Sequence, residues 1–227
     1  MSTVFIAGAN RGIGLEFLQQ YARDGWTVIG TARSAADCAE AAATTPGVRM
    51  EELEITSQAS IDALARRLAG VPIDILIVNA GISGDLPRKP IEIDFKEIEM
   101  VMSVNTFAPL HLAAALRPNL ETGDRKVAVA VSSLMSSISR NTWGTQYVYR
   151  ASKTALNAVW TSLAQEWKPL GISCILIRPG LVRTRMTNFK GDLDPEESVS
   201  GMRRVLAAMT IADTGRLIGY DGLDLPW

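Results

Sequence analysis

Histidine, cysteine and net charge are all scarce in this sequence. Its 227 residues include one histidine and two cysteines, and the formal net charge at pH 7 is −1. A single histidine, His111, cannot build a zinc site or a Ser-His-Asp triad by itself. The sequence therefore argues against metal catalysis and serine hydrolysis, and we expect no metal. The small net charge argues against nucleic acids and membrane surfaces as partners.

Long hydrophobic runs are also missing. The longest, residues 73–78 and 127–131, have the length of a strand and are too short to span a bilayer. The chain enters an apolar strand directly after its third residue, without the basic segment and long apolar core of a secretory signal. We therefore expect a cytoplasmic protein. Two cysteines, Cys38 and Cys174, would allow one disulfide, but the cytoplasm would keep both thiols reduced.

Apolar, β-branched runs alternate with segments of helical spacing along the whole chain. This alternation predicts a doubly wound Rossmann-type α/β fold, with a parallel sheet of about seven strands and helices on both faces. The predicted strands are 4–7, 27–31, 48–53, 73–78, 127–131, 172–177 and 217–219. The predicted helices are 13–23, 35–43, 57–69, 94–116, 146–168 and 195–208. Because no linker or repeat divides the chain, we expect residues 1–227 to form one domain.

A glycine-rich turn follows the first predicted strand. Its glycines have the spacing G-x-x-x-G-x-G, which allows a tight turn and a close approach of backbone to a pyrophosphate. The helix that follows offers its free N–H groups to the same phosphates. The turn therefore predicts a dinucleotide site, with an ordinary glycine-rich loop as the alternative. The residues assigned to it are Gly8, Asn10, Arg11, Gly12, Ile13 and Gly14.

The end of the second predicted strand bears on the choice of cofactor. Sites for NAD usually place a carboxylate there, against the ribose hydroxyl. Here Arg33 follows the strand, and the nearest acid, Asp37, lies in the next helix. Arg33 and Arg11 suit a 2′-phosphate, because guanidinium groups pair with phosphate through two hydrogen bonds. We predict NADP(H) in preference to NAD(H), with two solvated arginines as the alternative.

Tyr149 and Lys153 are four residues apart in a predicted helix, so that both side chains lie on one face. An ammonium beside a phenol is expected to lower the pKa of the tyrosine. Such a tyrosine can give a proton to a carbonyl or take one from an alcohol. The spacing is common by itself, so its context has to support it.

The context consists of polar residues near the ends of neighbouring strands. Ser133 follows the fifth predicted strand, Asn79 the fourth and Pro179 the sixth, while Asn105 lies in the long helix before the fifth. Open α/β sheets bind ligands at the carboxyl ends of their strands. These residues are therefore expected to meet where a dinucleotide and its substrate would lie.

This ordered set resembles the short-chain dehydrogenase/reductase family over nearly the whole chain. Residues 147–157 are most similar to its C-factor-like and sniffer-like carbonyl reductase branch. The resemblance implies hydride transfer between NADP(H) and a small carbonyl or alcohol substrate. It also implies a homodimer or homotetramer formed through the helices 94–116 and 146–168.

The resemblance carries functional roles over to individual residues. Ser133, Tyr149 and Lys153 match the catalytic serine, tyrosine and lysine, and Asn105 matches the asparagine of a proton relay through water. Residues 184–200 match the substrate lid. The further implied cofactor contacts, beside Tyr149 and Lys153, are Arg33, Glu54, Ile55, Asn79, Ala80, Gly81, Pro179, Gly180, Val182 and Thr184.

Three departures from the family pattern affect these expectations. Ala7 stands where the family has a threonine, which removes a hydroxyl from the turn. Glu54 replaces an aspartate, which alters the expected adenine contact. The spacing from Ser133 to Tyr149 is long for the family, so Ser136 is a rival for the catalytic serine.

Two other functions stay open from the sequence. One is a C-factor-like signalling or regulatory protein that binds NAD(P) with little turnover, and the other is an NAD-dependent alcohol dehydrogenase. The loop 82–90, the loop with Leu134 and Trp143, and the lid are expected to line the substrate pocket. Trp143, Met186 and Phe189 there would favour an apolar ligand.

Overall fold

The sheet has seven parallel strands in the order β3-β2-β1-β4-β5-β6-β7. The computed structural model describes residues 1–84 and 89–227. The strand order runs in opposite directions from β1 and β4, so their carboxyl ends flank a crevice. The predicted seven-stranded α/β fold is confirmed. The strands are β1 (Thr3–Ala7), β2 (Thr27–Ala32), β3 (Arg49–Glu52), β4 (Ile75–Val78), β5 (Val127–Val131), β6 (Ser173–Arg178) and β7 (Leu217–Gly219).

Helices cover both faces of the sheet because neighbouring strand residues point to opposite sides. Phe5 and Leu76 pack in a cluster with Trp160 on one face. Ile6 and Ile77, the next residues, pack in a second cluster on the other face. The helices are α1 (Gly12–Arg23), α2 (Ala35–Thr44), α3 (Gln58–Arg67), α4 (Phe95–Met102), α5 (Ala108–Ala115), α6 (Arg117–Thr122), α7 (Tyr147–Trp167) and α8 (Pro195–Ala208).

The predicted helix 94–116 is interrupted in the structure. A π-helical turn, Ser103–Phe107, separates α4 from α5, and the Ala108 N–H donates to the Ser103 carbonyl five residues earlier. Pro109 follows at once and has no N–H to give to the carbonyl of Asn105, four residues before it. Hydrophobic periodicity did not reveal this change of hydrogen-bond register.

The last residues of the predicted lid, 195–200, belong to a helix. Helix α8 begins at Pro195, and Ser198 and Val199 are buried in it. The segment between β6 and α8 ends at Asp194. In the described ranges, no helix has the length and apolar character needed to cross a membrane.

Candidate active site

The glycine-rich turn between β1 and α1 has a shape that only glycine fits. Gly8 has φ +78° and Gly12 has φ +54°, in the left-handed region that side chains rarely adopt. A Cβ on Gly14 would lie 1.9 Å from the Gly8 carbonyl oxygen, and one on Gly8 would lie 2.9 Å from Ala80 Cα. The turn therefore presents bare backbone at the N-terminus of α1, which suits a diphosphate.

Neighbouring strands hold this turn in place. Asn79 Nδ2 donates to the Gly8 carbonyl over 2.8 Å, and the Ala80 N–H donates to the Ala7 carbonyl over 2.9 Å. The Gly8 N–H donates to Thr31 Oγ1 over 3.2 Å. Thr31, from β2, thus supplies a hydroxyl to the turn although Ala7 has none. No sequence motif indicates this role of Thr31, since the contact joins residues from two strands.

The predicted adenosine end of the site contains two exposed arginines, Arg11 and Arg33. Glu54 accepts hydrogen bonds from the Thr56 N–H and hydroxyl over 3.1 and 2.7 Å. These bonds lower the pKa of Glu54 below its usual range, and the charge of Arg33 adds a smaller effect. The neighbouring Ile55 side chain is buried. The structure therefore places Arg33 and Glu54 within electrostatic reach of each other.

Asp37, which lies in α2 beyond the end of β2, also contacts this end of the site. Its Oδ1 accepts from Asn10 Nδ2 over 3.3 Å, and its Oδ2 accepts from the Ser34 hydroxyl over 2.7 Å. Ser34 is the N-cap of α2 and accepts from the Asp37 N–H over 3.2 Å. The spacing S-x-x-D is a sequence signal for such a cap, but the contact with Asn10 requires the tertiary fold.

Lys153 lies on the buried face of α7 and reaches the end of β5. Its Nζ donates to the Val131 carbonyl over 2.9 Å. Burial lowers the pKa of Lys153 from 10.5 to about 8. At neutral pH the site therefore contains an ammonium group with one hydrogen bond to the described residues.

The pKa of Tyr149 departs from the sequence prediction. Burial raises it above its ordinary value, and interaction with the Ser133 hydroxyl lowers it only in part. The pKa of Tyr149 is therefore raised in this structure, where the sequence had predicted a lowered value. The physical reason is that desolvation of the phenol outweighs the other effects.

Ser133, and not Ser136, is the serine that interacts with Tyr149. Ser133 lies two residues after the end of β5, and its Oγ accepts from the Met135 N–H over 3.1 Å. Ser136 is 1% exposed, and its hydroxyl donates to the Ser133 carbonyl over 2.6 Å. Ser136 therefore braces the short helical turn after β5.

Asn105 lies in the π-helical turn and is completely buried. Its Nδ2 donates to the Ile82 carbonyl and to Ser152 Oγ, and its Oδ1 accepts from the Ile82 N–H, over 2.8, 3.0 and 2.9 Å. A Cβ on Gly81 would lie 3.2 Å from Asn105 Oδ1 and 3.5 Å from Lys153 Nζ. The side chain of Asn105 therefore joins α7 to the loop after β4, beside the lysine.

The segment after β6 lies near the glycine-rich turn. The Pro179 carbonyl accepts from the Ser198 hydroxyl over 2.6 Å, and Gly180 has φ +83°. Val182 is buried and pairs with Leu193. The methyl group of Thr184 would lie 3.3 Å from a Cβ on Gly12. The fold thus brings the predicted nicotinamide segment to the predicted phosphate turn.

The structure describes part of the segments that are predicted to line the substrate pocket. Trp143, Met186 and Phe189 are about half exposed or more. In the loop 82–90, residues 85–88 lie outside the described residues.

Arg150, next to Tyr149, is a residue that the sequence analysis missed. Its Nε donates to the Gly144 and Thr145 carbonyls over 3.2 and 3.0 Å. Its guanidinium lies 4.5 Å from the centre of the Trp143 ring. Arg150 therefore connects α7 to the loop that carries Trp143.

Comparison with known proteins identifies the family. The model of the short chain dehydrogenase family matches residues 2–193. A 1-hydroxy-2-glutathionyl-2-methyl-3-butene dehydrogenase from Rhodococcus sp. (strain AD45) is 35% identical over 240 residues, covering 100% of both chains. The C-signal protein of Myxococcus xanthus is 34% identical over 165 residues, covering 73% of this chain and 99% of the relative.

Solved structures agree with this assignment. The carbonyl reductase Sniffer of D. melanogaster has a TM-score of 0.91 and 26% identity, covering 100% of both chains. A carbonyl reductase from Pseudomonas aeruginosa PAO1, in complex with NADP, has a TM-score of 0.86 and 30% identity, also covering 100% of both chains. The chain therefore belongs to the short-chain dehydrogenase family of oxidoreductases.

Proposed function

We propose that this oxidoreductase is an NADP(H)-dependent carbonyl reductase acting on small carbonyl or alcohol substrates. The observation that carries the proposal lies at the carboxyl end of β5, where the Ser133 hydroxyl interacts with Tyr149 and Lys153 donates to the Val131 carbonyl. The glycine-rich turn lies on the same edge of the sheet. Proton-transfer groups and a dinucleotide cradle on one edge suit hydride exchange.

The residues present fit a nicotinamide dinucleotide. The glycine-rich turn, with Gly8 and Gly12 at positive φ, presents backbone without side chains at the N-terminus of α1, which suits the diphosphate. Arg11 and Arg33 suit a 2′-phosphate. The segment from Pro179 to Thr184 would lie against the nicotinamide. When bound, the cofactor supplies or accepts the hydride.

Side chains of this protein would deliver the proton that the carbonyl oxygen needs. Because burial raises the pKa of Tyr149, its phenol keeps its proton at neutral pH and can donate it to a carbonyl oxygen. The Ser133 hydroxyl would hold that oxygen. Lys153 is protonated below about pH 8 and would bind the ribose beside the phenol. Asn105 would hold a water molecule that supplies a proton to the lysine.

Replacing the phenol tests this function. Tyr149→Phe should abolish turnover and leave NADPH affinity largely unchanged, because the phenol donates the proton and the dinucleotide is held mainly elsewhere. The measurement is NADPH oxidation with aldehydes, quinones, diketones and ketosteroids, with NADH alongside. Tyr147→Phe, exposed on the same helix two residues earlier, is the control. Turnover retained by Tyr149→Phe would refute the proposed role.

Two alternatives have specific support. The similarity to C-signal favours a signalling protein, and tight NADPH binding without turnover across the panel would shift the assignment to it. The Rhodococcus relative is a dehydrogenase, which favours oxidation of an alcohol. Assays of alcohols with NAD⁺ and NADP⁺ distinguish this second reaction from the first.

We also propose a cytoplasmic homodimer or homotetramer. Both cysteines are buried and free, which suits a reducing compartment. The helical stretch of α4 and its π-helical extension exposes Phe95, Met100 and Phe107. Apolar side chains of this size in one stretch suit contact with a second copy.

A further inference from the structure

We propose that Asp37 is a cofactor-selectivity residue that weakens the preference for NADP(H) and allows this chain to bind NAD(H) as well. The inference rests on the proposed cofactor site. Asp37 is in α2, beyond the strand end where an NAD-selecting acid is usually found. Its effect therefore depends on which way its carboxylate faces.

The Asp37 carboxylate joins the two segments that would hold the adenosine ribose. One oxygen accepts from Asn10, in the glycine-rich turn, over 3.3 Å. The other accepts from the hydroxyl of Ser34, directly after Arg33, over 2.7 Å. Asn10 Nδ2 and Ser34 Oγ are donors of the kind that a 2′-phosphate needs. In this structure both donors already form hydrogen bonds with the Asp37 carboxylate.

Charged residues of both signs lie in the segments around this point. Arg11 and Arg33 provide two positive charges, while Asp37 and Glu54 provide two negative ones. The charge of Arg33 acts on Glu54, so this arginine is shared with an acid in the folded chain. A 2′-phosphate would meet the two arginines, but also a like charge at Asp37.

The two cofactors should therefore experience Asp37 in opposite ways. For NADP(H), Asn10 and Ser34 must leave the carboxylate, and the phosphate must bind near a negative group. For NAD(H), the ribose hydroxyl carries no charge and can donate to a carboxylate, which is the usual partner in NAD sites. Asp37 thus penalises the first cofactor and favours the second.

Asp37 also closes the cap of α2, and that role alone would affect only stability. Asp37→Asn separates the two roles, because the amide keeps the size of the side chain and one acceptor oxygen while removing the charge. Asp62→Asn is the matched control. Asp62 is exposed on α3 and accepts one bond from Gln58, so the control removes a charge of the same sign elsewhere.

The experiment measures dissociation constants of NADPH, NADH, 2′,5′-ADP and ADP by calorimetry on wild type and both variants. We expect wild type to bind NADPH and NADH within about tenfold of each other, and Asp37→Asn to raise the preference for the 2′-phosphate about tenfold further. The increase in NADPH preference caused by Asp37→Asn should become smaller at high salt, because salt screens the charge of Asp37. Asp62→Asn should leave the preference unchanged.

An unchanged preference in Asp37→Asn, with only a lower melting temperature, would show that Asp37 is a cap and overturn the inference. A wild-type preference for NADPH of a thousandfold would overturn it as well. The binding measurement does not depend on turnover. A chain that binds both cofactors but reduces no substrate would therefore refute the proposed activity, while the effect of Asp37→Asn on cofactor preference could still be interpreted. Absence of binding by either cofactor would reject both.

Discussion

Lys153 shows how one buried charge affects both chemistry and stability. Its side chain is 5% exposed and donates to the Val131 carbonyl. Burial lowers the pKa from 10.5 to about 8, so the folded chain holds an ammonium in its interior at neutral pH. Below about pH 8 the folded state bears this desolvation cost in full. Between about pH 8 and 10.5 only the unfolded lysine is charged, so the cost fades as pH rises.

Lys153→Met should therefore make the protein more stable at pH 7 while abolishing turnover. We expect the free energy of unfolding to rise by about 1–3 kcal/mol, less than the full pKa shift implies, because the Val131 carbonyl loses its donor. The gain should shrink as pH increases from about 8 towards 10.5. Urea unfolding over this pH range measures it.

Lys168→Met, at the exposed end of α7, is the control and should change stability little at any pH. If Lys153→Met is no more stable than wild type at pH 7, burial of the Lys153 ammonium does not destabilise the folded state as proposed.

The entry into α7 is the element on which the orientation of Tyr149 depends. Gly144, Thr145 and Gln146 have φ values of 68°, 60° and 54°, and Gln146 makes no side-chain cap. Left-handed conformations at residues other than glycine cost of order 1 kcal/mol or more each, so other contacts must hold them. Arg150 does so through the Gly144 and Thr145 carbonyls.

Arg150→Met should therefore reduce kcat/KM about tenfold, because the turn before α7 loses its two hydrogen bonds and Tyr149 is placed less well. The effect on stability should be small, at most about 1–2 kcal/mol. Two other guanidinium nitrogens of Arg150 are buried without a partner among the described residues, and their removal offsets part of the loss. Steady-state kinetics and urea unfolding measure the two effects.

Arg203→Met provides the comparison for Arg150→Met. Arg203 stacks on Tyr21 at 4.2 Å and pairs with Asp24, between α8 and α1. Its loss should lower stability and leave kcat/KM nearly unchanged. Equal kinetic effects in the two variants would mean that Arg150 has no special part in positioning.

At the scale of the whole molecule, the sheet order brings distant residues together. The order reverses beside β1 and β4, so the turns after these strands meet the end of β5 and the segment after β6. Helix α7 then crosses the first apolar face and adds the tyrosine and lysine from one side. Both tryptophans of α7, Trp160 and Trp167, are buried in that core and are thus not available for contact with another copy.

Association of copies is a prediction at this same scale. The exposed Phe95, Met100 and Phe107 should be covered by a second chain, so light scattering should give the mass of a dimer or tetramer at micromolar concentration. Phe95→Lys should shift the mass towards the monomer, whereas Arg23→Lys, on the remote α1, should not. A wild-type monomer would reject the proposed assembly.

Local patterns were enough to predict the fold and to indicate candidate site residues. Alternation of apolar strands with helical segments predicted all seven strands, since each strand has to satisfy both faces of the sheet. Glycine spacing located the turn, because a Cβ at Gly14 cannot fit there. These features depend on residues close together in the chain.

Long-range contacts and burial decided the rest. The link between Asn10 and Asp37 and the contact of Thr31 with Gly8 join residues more than twenty positions apart, so no spacing rule reveals them. The raised pKa of Tyr149 follows from desolvation, which exists only once the core has formed. The sequence by itself thus determined which elements form and which groups are available, and the tertiary structure decided which groups meet and how their protons are held.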